Sequence, residues 1–385
     1  MKKSVFIFII VSILFSFNCL YAQSEVSVEH SSINGFFRIA DKLASGIEPI
    51  EEEWNDWFET QGYKICIAET FDERDLFTRK AMDLTLNQAK VGQRDSIMNI
   101  PVTDIVSDWE SLLIRVILQN FMDIKENRSA ITEQFQTINY KQWLADAGNR
   151  LKNFLVNPVD SLISPIPVSI LCMEPDALII SVIIAWDCKF FYKQTEEERI
   201  DMLAHEMFHA YRKHFVDESK APGFIKLIYL WQNEGIVDLI DKKSASDLSS
   251  AFIRYGLPQS YVDSYDDIYQ STPQTIKELE KLTLSFIHNE ISEKEFNSKV
   301  SGFIQFGGHP NTYYMTTLIK NAGFEKELIS TFDSPVEFMK LYNKSIAKEY
   351  RLNDEFMNYL EKTKLPTNGA HYKASEVQRN ATLRK

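Results

Sequence analysis

Glycine and proline together account for only 25 of the 385 residues, about half their usual share in soluble proteins. Sandwiches, collagen-like repeats and low-complexity linkers are all rich in these residues. A chain with so few is built mainly of helices, and the expected fold class is α+β, predominantly helical. Hydrophobic residues at 44% and charged residues at 25% belong to a globular protein rather than a disordered chain. The length allows one large or two ordinary domains with a sizeable core. No internal repeat and no clear interdomain linker is visible.

The first 22 residues read as a secretory signal peptide. Lys2 and Lys3 precede an apolar run from Val5 to Phe15, and Ala22 offers a small residue at the cut. Cys19 is an alternative lipidation site, but Phe17 and Asn18 before it are not the small residues that such cleavage prefers. The expected location is therefore periplasmic or extracellular. Removing residues 1–22 leaves 40 basic and 54 acidic residues, a formal charge of −14. That surface repels phosphate backbones and anionic membranes, which argues against nucleic acid as a partner. No later segment has the ~18 uninterrupted apolar residues of a membrane span. Three cysteines remain, Cys66, Cys172 and Cys188. An odd number excludes a full disulfide framework, and Cys172 and Cys188 either pair across a hairpin or stay as buried thiols.

Helical periodicity fills residues 32–155, with Ile105, Trp109, Leu112, Leu113, Val116 and Ile117 as one amphipathic stripe. Val168 to Leu171 and Leu178 to Trp186, separated by the turn signal Glu174, Pro175 and Asp176, read as paired strands. Helical patterning then resumes to about Lys362, with Ser334 and Glu337 placed as a capping box around Pro335. The organisation expected is a signal peptide (1–22), a helical N-terminal region (23–160), a catalytic core (161–325), C-terminal helices (326–364) and a polar tail (365–385).

The chemistry gathers after the second strand. Thr195 and Glu198 form a capping box that starts a helix carrying His205, Glu206, Met207, Phe208 and His209. Histidines at i and i+4 project ~40° apart from one helix face. Two imidazoles so placed can grip one Zn²⁺, while Glu206 reaches the metal-bound water. A catalytic zinc needs a third protein ligand. Glu234 supplies a candidate 25 residues after His209, on a helix beginning near Pro222 that returns antiparallel. Its neighbours Leu230, Trp231, Ile236, Val237 and Leu239 are apolar, and a carboxylate buried among them needs a cation. Asp238, one turn later, is placed to accept the free N–H of a ligating histidine, expected to be His205. The remaining histidines, His30, His214, His288 and His371, have no ligand-like neighbours and read as structural or solvated.

At these residues the chain resembles the gluzincin metallopeptidases, whose paired motifs His-Glu-x-x-His and Asn-Glu-x-x-x-Asp stand here at 205–209 and 233–238. Within that clan it looks most like an uncharacterised bacterial group of putative zinc-dependent peptidases. The specific resemblance covers roughly residues 165–325. It implies a thermolysin-like zincin core whose small sheet edges the cleft, with Leu178–Trp186 as the strand that pairs with an extended substrate. It implies one zinc on His205, His209 and Glu234, Glu206 as general base, Asn233 and Asp238 as supporting residues, and a peptide or protein substrate. Gluzincins also place a Tyr or His from a downstream helix near the developing oxyanion. Here His309, ahead of Tyr313 and Tyr314, fills that place after Gly307 and Gly308, on a helix expected to run to about Asn321. The alternatives are a zinc aminopeptidase, for which no terminus-anchoring motif is seen, and a secreted binding protein with a structural zinc. An intact Glu206 argues against the latter.

Overall fold

The computed structural model describes residues 28–100, 109–156, 166–180, 183–218, 221, 223–243, 245–255 and 257–363. The signal peptide, Cys19, Ile105, Pro222, His371 and the polar tail lie outside the described residues.

The described residues open with a short strand, β1 (Val28–Glu29), and eight α-helices follow among them. These are α1 (Ser31–Ala44), α2 (Glu51–Phe58), α3 (Gln61–Glu69), α4 (Arg74–Leu86), α5 (Val91–Met98), α6 (Trp109–Glu126), α7 (Arg128–Thr137) and α8 (Tyr140–Leu151). The strands β2 (Val168–Leu171), β3 (Ala177–Ile180) and β4 (Ile183–Asp187) come next. Then come α9 (Cys188–Lys193), α10 (Glu196–Lys213), α11 (Gly223–Asp241), α12 (Ala245–Arg254), α13 (Gln259–Ile287) and α14 (Glu293–Val300). The last helices are α15 (His309–Asn321), α16 (Glu325–Ser330), α17 (Pro335–Ser345) and α18 (Asp354–Lys362). The predominantly helical α+β expectation holds, and one buried apolar cluster runs from Ile33 to Leu360. No described helix is long and apolar enough to cross a membrane.

The sheet differs from the expected strand pair. Its order is β1-β2-β4-β3, with β1, β2 and β4 parallel and β3 antiparallel at the edge. The run Leu178–Trp186 is thus two strands, not one. Register pairs Ile180 with Ile183, so two residues, 181–182, join them. Val168–Leu171 pairs with β4, in parallel, and not with the strand that follows its own turn. Every residue of β2 and β4 is buried, as befits parallel strands covered on both faces. Cys172 and Cys188 follow these two strands as free, buried thiols with their sulfur atoms 3.5 Å apart.

Asp187 ties the end of β4 to its surroundings. One oxygen caps α9 by accepting from the Phe190 N–H at 2.8 Å, and the other accepts from Met173 N–H at 3.1 Å and the Asn120 amide at 2.9 Å. The capping box then starts α10 as expected, Thr195 Oγ1 accepting from Glu198 N–H and Glu198 accepting from Thr195 N–H. Leu203, Ala204, Met207, Phe208 and Tyr211 sink α10 into the core, and Arg150 of α8 pairs with Asp201 and Glu197 along it.

Helix α11 is apolar nearly all round, the mark of a buried helix, and it packs against both α10 and α15. Gly235 sets the closeness of the second contact. A Cβ there would lie 2.6 Å from Thr316 Cγ2 and 3.2 Å from the Thr312 carbonyl oxygen. Gly235→Val is expected to force α11 and α15 apart, lowering stability by about 1–3 kcal/mol. Denaturant unfolding checks this, and an unchanged midpoint would refute the close approach.

Candidate metal centre

His205 and His209 leave α10 on the face that meets α11, and both are nearly buried, as is Glu206 between them. Glu234 enters from α11. Its Oε2 lies 3.5 Å from His209 Nε2 and 4.0 Å from His205 Nε2. Ligand atoms of these three residues all lie within 4.8 Å of one another, a two-imidazole, one-carboxylate donor set suited to zinc.

The rings are held from behind. His205 Nδ1 is 3.1 Å from Asp241 Oδ1, so its Nε2 faces Glu234. The Asn233 side chain lies against the His209 ring. Moving one turn back along α10, from His209 to His205, thus moves forward along α11, from Asn233 to Asp241, and the two helices run antiparallel. Burial and the neighbouring His205 hold His209 well below the ordinary imidazole range, which leaves its ring free to ligate. Burial opposes charge on His205 too, but the Asp241 carboxylate outweighs it and raises that ring.

The expected pairing of Asp238 with His205 is not what forms. Asp238 instead meets His309, with 2.8 Å between its Oδ1 and the ring Nδ1, and accepts from Thr312 Oγ1 at 3.3 Å. Both acids share a helix face with Glu234, at about 40° and 20° from it. The antiparallel crossing brings the farther one, Asp241, level with His205. The two carboxylates flank Lys242, whose ammonium contacts Asp238 and lies 3.3 and 3.4 Å from the Asp241 oxygens. Against the cost of burial, Lys242 and His309 hold Asp238 below the usual carboxylate range, and Lys242, His205 and His309 do the same for Asp241. Asp241 and Lys242 belong to neither sequence motif. The signal for Asp241 is its i+7 spacing from Glu234.

Glu206 Oε1 is 3.9 Å from His205 Nε2, as near as Glu234, but Glu206 is not one of the three residues whose ligand atoms all converge within 4.8 Å. The backbone N–H of Ile179, on edge strand β3, lies close to the Glu206 carboxylate. Burial is the main force on this carboxyl, and with Asp176 and Glu234 nearby it pushes the group up to about 8 despite His205.

His309 starts α15, and its Nε2 lies 3.7 Å from Glu234 Oε2. Three successive residues before it, Phe306, Gly307 and Gly308, have left-handed backbone, with φ of 49°, 64° and 91°. Phe306 is the costly one of these, and its ring packs edge-on against Tyr261, centroids 4.7 Å apart. Burial opposes a charged His309, but Asp238 outweighs it and raises this ring above its ordinary range. Tyr313 and Tyr314 are engaged elsewhere. The Tyr313 hydroxyl donates to the Lys242 carbonyl at 3.3 Å, and Tyr314 packs edge-on against Tyr269. Of the other described histidines, His30 stacks on Phe135, His214 caps the end of α10, and His288 pairs with Glu355 at the surface.

The described residues therefore define a mostly helical α+β protein with a candidate metal centre between two antiparallel helices. The chain belongs to the family described as "Putative zinc dependent peptidase (DUF5700)", which matches residues 54–350. No curated protein and no solved structure matches it significantly.

Proposed function

We propose that this protein is an exported zinc metallopeptidase of the gluzincin type, with His205, His209 and Glu234 as the ligands of one ion. The observation that carries the reading is three ligand atoms converging within 4.8 Å beside a buried glutamate on the same helix turn. Family membership supplies the peptide or protein as substrate class.

Zinc bound there supplies the charge that polarises the scissile carbonyl and acidifies a water near neutral pH. Glu206, beside the backbone N–H of Ile179, takes the proton of the attacking water and returns it to the leaving amine. His309, its Nδ1 occupied by Asp238, turns Nε2 toward Glu234 and donates to the oxyanion of the tetrahedral intermediate. Among the described residues β3 is the edge strand of the sheet, and on it an extended substrate adds as a further strand in the thermolysin manner.

The test is zinc content of the purified protein together with digestion of a peptide library, with and without chelator. One zinc per chain and chelator-sensitive cleavage are expected. A protein that takes up no zinc overturns the reading. The two acids divide the support. Asp241→Asn is expected to weaken zinc binding 10–100-fold, whereas Asp238→Asn acts first on kcat through His309. Competition with a chromophoric chelator separates them, and equal losses of affinity would refute the division.

A further inference from the structure

Glu234, Asp238 and Asp241 place three carboxylates on one buried face of α11, with side chains 13%, 0% and 9% exposed. Like charges this close and this poorly solvated need positive charge among them. An ion on Glu234 answers for the first. The other two are answered by Lys242, whose ammonium is 8% exposed and touches both.

Asp238 and Asp241 have a second property. Together with His205 they form another group whose ligand atoms lie within 4.8 Å of one another. That donor set, two carboxylates and an imidazole, would suit a divalent ion, yet a lysine ammonium sits against both of its carboxylates. The lysine is also fixed from its own backbone. Its N–H continues the helix to the Asp238 carbonyl at 2.9 Å, and its carbonyl accepts from Tyr313. One tethered charge thereby joins two supporting pairs, Asp241 with His205 and Asp238 with His309.

We propose that Lys242 is a positioning residue that stands in place of a second metal ion, orienting both histidines through their carboxylates and keeping the centre mononuclear. This rests on the zinc reading above. A covalently attached cation does this independently of metal supply, and it leaves no carboxylate there to compete for the catalytic ion.

The test uses the full chain, stripped of metal and titrated with Zn²⁺, with bound zinc counted and the visible spectrum of the Co²⁺ form recorded. The wild-type protein is expected to take up one ion. Lys242→Ala, which frees both carboxylates and opens space between them, is expected to take up two, the second more weakly, with an altered Co²⁺ spectrum. Lys242→Met keeps the apolar stem and removes only the charge, and it is expected to hold its ion 10-fold or more weakly. That variant reads the proposal if the alanine protein fails to fold. Two ions in the wild-type protein overturn the proposal. So does Lys242→Met or Lys242→Ala with one ion at wild-type affinity and an unchanged spectrum. No ion in the wild-type protein removes the zinc reading itself, a result distinct from one ion in every variant.

Discussion

Glu206→Gln is expected to lower the rate of peptide hydrolysis by two to four orders of magnitude while leaving one zinc per chain. Glu206 is outside the group of three whose ligand atoms converge, so the metal is expected to stay. Glutamine matches glutamate in shape, and its amide oxygen can still face the Ile179 N–H beside the carboxylate. It cannot take a proton from water, and that alone is removed. The variant also carries its own control for misfolding. A buried carboxylate is costlier than a buried amide, so the metal-free variant should melt no lower than the metal-free wild type. Lost activity with zinc and melting temperature intact identifies the base. An unchanged rate at full zinc would end the assignment, and lost zinc would show that Glu206 belongs to the ligand set.

What was legible in the sequence follows from what is local. The start of α10, its histidine pair and the neighbouring glutamate depend on contacts within about four residues, and the capping box at Thr195 and the i, i+4 spacing state them outright. Glu234 was legible because an acid amid Trp231, Ile236 and Val237 contradicts its own surroundings. The sheet was less so. Ser181 and Val182 are no turn signal, so the apolar run across them hid the two strands β3 and β4. The pairing of acids with histidines was illegible for a different reason. Asp238 and Asp241 share one helix face, and which of them meets His205 depends on how α11 crosses α10. That crossing is set by packing at places such as Gly235. Lys242 reads in the sequence as an ordinary cation at a helix C-terminus. Only burial reveals it as the counter-charge of the centre.

Zinc is expected to raise the stability of the wild-type protein by about 4 kcal/mol at a thousandfold excess over its Kd, roughly 5 °C in melting temperature for a chain of this size. The ligand group exists only where α10 and α11 are packed together, so the folded state alone binds tightly and the whole affinity appears as stability. Glu234→Gln should abolish this rise, because an amide is a poor substitute for the carboxylate. Without zinc the order reverses. Burial is the chief cost of the Glu234 charge, and Asp238 beside it adds repulsion, so the neutral variant should melt at or above the metal-free wild type. The two proteins thus exchange rank as zinc is added, an outcome that a general loss of packing cannot produce. If zinc stabilises the variant as much as the wild type, Glu234 is not a ligand. If the variant melts lower in both conditions by the same amount, its carboxylate serves packing rather than metal.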